Sequence, residues 1–145
     1  MRKAGKVVKD TLCVLEEYIK PGITTIELDT MAETFIRSQG AIPGFKGLYG
    51  FPATLCISVE DEVVHGMPGK RVLKEGEIVG IDVGSIVEGY YGDHARSFPV
   101  GKIDEAHKKL LSVTRECLIK GIEQAKPGNR IGDIGHAVQS YAETN

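Results

Sequence analysis

The sequence has no tryptophan, three cysteines among 145 residues, and no apolar run near the roughly 18 to 20 residues that a membrane-spanning helix needs. The missing run excludes such a helix. The opening MRKAGKVVKD leads into a helical pattern instead of a signal-peptide core, so the expected location is cytoplasmic, with no membrane partner. Cys13, Cys56 and Cys117 are odd in number, far apart and each set in an apolar stretch. That pattern predicts buried free thiols, and argues against a disulfide framework or a cysteine zinc site. Excess charge of one sign is also missing: 18 basic side chains face 20 acidic ones, giving a net charge of −2, and no basic run occurs. Without a long-range positive field, nucleic acid is excluded as a direct ligand.

Glycine is what the chain has in excess, with 18 residues, many of them between positions 40 and 101. That segment should be rich in turns. A chain of this length buries about 68 to 70% of its unfolded surface, so it can fold without a stapling metal or disulfide. The organisation expected is one domain over residues 1–145.

Residues 4 to 19 carry Val7, Val8, Leu12, Leu15, Tyr18 and Ile19 at helical spacing, and the pattern stops at Lys20-Pro21-Gly22. Thr24 with Glu27 has capping-box spacing, and Leu28, Met31, Ala32, Phe35 and Ile36 form one apolar face ending before Gly40. An offset of 106 residues lays Lys126-Pro127-Gly128 on Lys20-Pro21-Gly22, Val113 and Leu118 on Val7 and Leu12, and Ile134, Val138 and Tyr141 on Leu28, Ala32 and Phe35. Local convergence on a Pro-Gly turn is the bland explanation, but agreement on both flanks favours duplication of a helix, turn, helix unit. Between the copies, residues 53 to 59, 78 to 87 and 90 to 100 are rich in β-branched and apolar residues. The fold class expected is α+β, an antiparallel sheet with helix pairs related by the repeat.

Asp82 and Asp93 are the most informative residues. With Glu88-Gly89 as a two-residue turn, Asp82 faces Ala95 and Asp93 faces Gly84. Side chains alternate along a strand, so both carboxylates point to one face as diagonal neighbours about 7 to 8 Å apart at the backbone. A four-residue loop would set them directly opposite. Like charges this close call for a cation or a shared proton. Gly80 and Gly84 flank Asp82 on that face, leaving space for a ligand. Oxygen-rich pairs of this kind hold divalent ions. The plain alternative is two solvated aspartates on the outer face of an edge hairpin.

At EIVGIDVGSIVEGYYGDHARSFPVG, and upstream at GFPATLCISVEDEVVHGMPG, the sequence resembles the type I methionine aminopeptidases of the pita-bread fold. The likeness runs from end to end. It implies half of that fold, with Asp82 and Asp93 as metal ligands and His65, in the H-G-x-P motif, as a catalytic residue that also touches the substrate. Phe45, Leu48, Phe51 and Cys56 would line the methionine pocket; the alternative for Phe51 and Cys56, and more so for Phe45, is to plug the core beneath a long loop. An unbranched thioether is recognised by apolar walls, which suits these residues.

The cofactors implied are two divalent ions, with cobalt, manganese, iron or zinc all open. The partner implied is a peptide or nascent-protein N-terminus beginning with Met. The family's remaining ligands, one histidine and two glutamates, have no counterpart here, so a half-enzyme, weak or inactive alone and able to self-associate, is expected. Two positions depart from the family: Glu60 stands where asparagine is common, and His94 where threonine or serine is common. His94 should turn outward, since it alternates away from Asp93. His107 and His136 are expected to be helix residues without a metal role. Competing readings are a non-catalytic binding or assembly module of the same fold, and a prolidase or creatinase relative, which GFPATLCISV and VVHGMP disfavour.

Overall fold

A computed structural model describes residues 1–145. In chain order it contains α1 (Arg2–Glu16), α2 (Thr25–Ser38), β1 (Ile42–Pro43), a short 3-10 turn at Leu48–Gly50, β2 (Leu55–Val59), β3 (Ile78–Val87), β4 (Tyr90–Pro99), α3 (Glu105–Gln124) and α4 (Ile131–Thr144). Contacts group the chain into two compact units, residues 1–103 and 104–145.

The sheet of the first unit is antiparallel throughout, with β3 as its spine. β4 pairs with β3 along its full length, from Ile78 with Pro99 to Val87 with Tyr90. β2 pairs with Val79 to Val83, and β1 with Ser85 and Ile86. The reversal between β3 and β4 is the two-residue turn expected from the sequence. Glu88 and Gly89 both have positive φ, 51° and 79°. That double left-handed conformation is the type I′ turn, whose twist matches the flanking strands.

One face of the sheet carries Leu55, Ile57, Val59, Val79, Ile81, Val83 and Phe98, all buried. Against them pack Val8, Leu12 and Leu15 of α1 and Leu28, Ala32 and Ile36 of α2 in a single apolar cluster. Period 3.6 in the helices and period 2 in the strands bring these residues to one layer. α1 stops at Glu16, short of the apolar pattern's end at Ile19, because Tyr18 and Ile19 both donate their N–H groups to the Leu15 carbonyl in a tightened last turn. α2 starts with the expected capping box: Thr24 Oγ1 accepts the Glu27 N–H, and Glu27 Oε2 accepts the Thr24 N–H at 2.8 Å.

The second unit is a helix pair. Its Gly121 lets α4 come close to α3, since a Cβ there would lie 3.0 Å from Val138 Cγ2. Asp104 caps α3 by accepting the His107 N–H at 2.8 Å. His136 is exposed on α4.

The repeat is visible in backbone detail. Gly22 and Gly128, matched at the offset of 106, both sit in the left-handed region, at φ 98° and 94°. Glu27 accepts the Thr24 N–H, and at the matched positions Asp133 accepts the Arg130 N–H at 2.7 Å. One expectation fails: Cys13 is exposed, because it lies on the outer side of α1 between the buried Leu12 and the half-buried Val14, while Cys56 and Cys117 are buried.

Ile81, fully buried at the centre of β3, should be costly to truncate. Ile81→Ala is expected to lower stability by about 2 to 5 kcal/mol in urea unfolding. Leu118→Ala, at a position 56% exposed, should change it by less than about 0.5 kcal/mol.

Candidate metal centre

The β3–β4 hairpin puts Asp82 opposite Ala95 and Asp93 opposite Gly84, the register expected from the sequence. The two carboxyl groups are diagonal neighbours on the face away from α1 and α2. Asp93 is exposed and Asp82 is partly buried. Asp82 Oδ1 is shielded from solvent and has no hydrogen-bond partner. Burial first, and the Asp93 charge second, push the Asp82 carboxyl up to about 6, against the opposing pull of His65 and the Val83 N–H.

Cys56, on β2, is paired with Asp82 of β3 and lies on the same side of the sheet. Burial, followed by the charges of Asp82, Asp93 and Asp29, pushes its thiol up to about 11. The group therefore stays protonated at neutral pH. Phe45 lies over Gly84, where an added Cβ would come 2.6 Å from the ring's Cε1. Part of the space cleared by glycine is thus filled by an aromatic wall. The close approach is made by Gly44, whose N–H donates to the Gly84 carbonyl at 2.8 Å and whose own Cβ would meet Gly84 backbone at 2.9 Å. Leu48 and Phe51 belong to the same loop, folded back through Leu48 N–H to Phe45 O and Phe51 N–H to Leu48 O, both 2.9 Å. Leu48 is largely exposed and Phe51 half-buried.

His65 is exposed, has a φ of 58°, and is near enough to Asp82 to favour its ionised form. His94 pairs with Val83 and is exposed on the opposite face from Asp93, as expected. Glu60, in a left-handed conformation, accepts the Ile78 N–H at 2.7 Å through its side chain, so this departure from the family pattern closes the end of the β2–β3 ladder.

Asp29 is a site neighbour that the sequence reading missed. This α2 residue is 5% exposed and accepts the N–H groups of Thr54 and Leu55 at 2.9 and 2.8 Å, fixing the entry to β2 just before Cys56. Burial raises its carboxyl above the usual range despite those two donors. The available signal was an acid adjoining Leu28 and Ala32 on the helix's apolar face.

The donor set suits a hard divalent cation: a buried oxygen lacking a donor, a second carboxylate beside it, and small neighbours. The set is incomplete as a cage, for nowhere do three or more His, Cys, Asp or Glu side chains come together in an arrangement able to hold a metal.

The sequence pattern of metallopeptidase family M24 matches residues 1–145. Methionine aminopeptidase 1 of Bacillus subtilis is 54% identical over 143 residues, covering 99% of this chain and 58% of that protein. The crystal structure of methionine aminopeptidase from Rickettsia prowazekii superposes with a TM-score of 0.97 at 43% identity, over 99% of this chain and 58% of that one. Prolidase from Pyrococcus furiosus shares the fold, with a TM-score of 0.87 at 21% identity, over 98% of this chain and 41% of that one. The chain spans somewhat over half the length of the aminopeptidases it matches.

A carboxyl raised in the folded state contributes stability present below the unfolded value near 3.8 and lost as pH rises through about 6. Asp82→Asn should therefore stabilise the metal-free protein at pH 7.5, relative to its effect at pH 4, by about 1 to 2 kcal/mol after allowance for partial exposure. Urea titrations of both proteins at the two pH values measure this; equal effects at both would show that the Asp82 carboxyl is not raised in the folded state.

Proposed function

The chain belongs to metallopeptidase family M24, with the α+β pita-bread architecture of its neighbours, and on that premise we propose that it forms the N-terminal part of a metal-dependent methionine aminopeptidase. The observation that carries this reading is the buried, unpartnered Asp82 Oδ1 set beside Asp93. Asp82 and Asp93 are the ligands this chain contributes, and two divalent ions, cobalt, manganese, iron or zinc, fit their oxygen chemistry. When bound, such ions supply the Lewis acidity that readies water for attack on the carbonyl after the first residue.

The chain's own side chains do the rest. His65, on the loop beside the carboxylate pair, donates a hydrogen bond to the substrate's carbonyl oxygen or peptide nitrogen as charge develops there. Phe45 and Cys56 border the pair on the same face, and with Leu48 and Phe51 they give the methionine side chain apolar walls. The protonated Cys56 thiol suits that neutral role and does not compete as a ligand. The substrate is a peptide or nascent protein beginning with methionine. The identity of 54% to an aminopeptidase against 21% to a prolidase favours this substrate over a Xaa-Pro dipeptide.

Manganese or cobalt titrated calorimetrically into the chain should bind, and Asp82→Ala should weaken binding about 100-fold, or roughly 2.8 kcal/mol. Methionine release from a Met-Ala peptide by these 145 residues alone should be weak or absent. Equal metal binding by wild type and Asp82→Ala, or none by either, would sink the metal reading and favour a non-catalytic module.

A further inference from the structure

The loop that carries His65 runs from the end of β2 to the start of β3, and it is fastened at two levels. Its outer part is tied by glutamates: Glu62 Oε2 accepts the Val59 N–H at 2.9 Å, and Arg71 bridges Glu62 at 3.0 Å and Glu77 at 3.6 Å. Its inner part is pressed onto β2 at Gly66. The Gly66 carbonyl accepts the Ile57 N–H at 2.8 Å, and the Gly66 N–H donates to Ser58 Oγ at 3.1 Å. The approach is so close that a Cβ on Gly66 would stand 2.1 Å from the Ile57 carbonyl oxygen. Ser58 points to the same face as Cys56, which is opposite Asp82, and its own partner in β3 is Gly80. Its hydroxyl thus emerges on the face of the carboxylate pair, directly under the residue that follows His65.

A single backbone hydrogen bond leaves a loop free to pivot about the strand; a second attachment, one residue along, fixes its rotation. His65 needs that fixing, because a left-handed φ of 58° is unfavourable for a residue with a Cβ and persists only where the surroundings impose it. We propose that Ser58 is a positioning residue for His65, its hydroxyl holding the Gly66 N–H so that the left-handed turn presents the imidazole to the Asp82 and Asp93 face. The functional meaning of the clasp rests on the metal reading above; the clasp itself does not.

The test uses the 145-residue chain and four proteins: wild type, Ser58→Ala, Ser58→Thr, which keeps the hydroxyl, and Ser58→Val, which matches threonine in shape without it. Amide hydrogen exchange at Gly66 should quicken about tenfold in the alanine and valine variants and stay near wild type in the threonine variant, with Ile81 exchange unchanged in all. Manganese added to wild type should broaden the His65 ring resonances, and this broadening should fall several-fold in Ser58→Ala and Ser58→Val at unchanged manganese affinity, with threonine restoring it. Wild-type Gly66 protection and undiminished broadening in both hydroxyl-free variants would overturn the proposal, as would loss of both signals in Ser58→Thr. If manganese fails to bind wild type, the metal reading falls, and the clasp is still decided by Gly66 exchange. If Ser58→Ala does not fold, the threonine and valine pair decides it.

Discussion

Two negative charges are forced onto one face of a ribbon, and most of the first unit is arranged so that they cannot escape. The type I′ reversal at Glu88-Gly89 fixes the pairing of β3 with β4, and a slip of one residue would turn Asp82 into the apolar layer and Val79, Ile81 and Val83 out of it. Burial of that layer against α1 and α2 is what forbids the slip. The hydrophobic core therefore sets the carboxylate geometry from the opposite face of the sheet. The result is a raised Asp82 and a buried oxygen without a donor, a local cost that a cation would remove.

The pair's surroundings follow from contacts between distant segments. Gly44 gives β1 its close approach to Gly84, which brings the Phe45 ring over the strand. Asp29, on α2, anchors the start of β2, and Glu60 anchors its end. These carboxylates act on backbone N–H groups that would otherwise lack partners where the ladder begins and stops. Asp82, only partly buried, keeps one shielded oxygen without a donor, and this separates it from the buried Asp29.

The features legible in the sequence were those set by neighbours along the chain. The two-residue turn, the register it imposes, the capping box at Thr24 and Glu27, and the duplicated Lys-Pro-Gly junction all depend on a few adjacent residues, and the structure carries each of them. The family motifs carried the M24 assignment, which spans the whole chain. What stayed hidden was set by segments far apart. Nothing in the local pattern shows that Phe45 fills the space over Gly84, that Gly66 is pressed against Ile57, or that Asp29 reaches β2, since each contact joins separate segments that only the fold brings together. Cys13 escaped because an apolar stretch wraps a helix on both sides, and only one side meets the core. Duplication also misleads about burial: Leu12 is covered, while its counterpart Leu118 is 56% exposed.

The three cysteines end up in very different chemical situations. Cys56 is covered and held as a neutral thiol by low polarity and surrounding acids, Cys117 is enclosed beneath α4, and Cys13 alone faces solvent. Maleimide or a nitroxide reagent should consequently attach at one place on the native chain, on the back of α1 and across the sheet from the aspartates. The molecule supplies its own handle for spectroscopy, with no need to engineer the other sulfurs away.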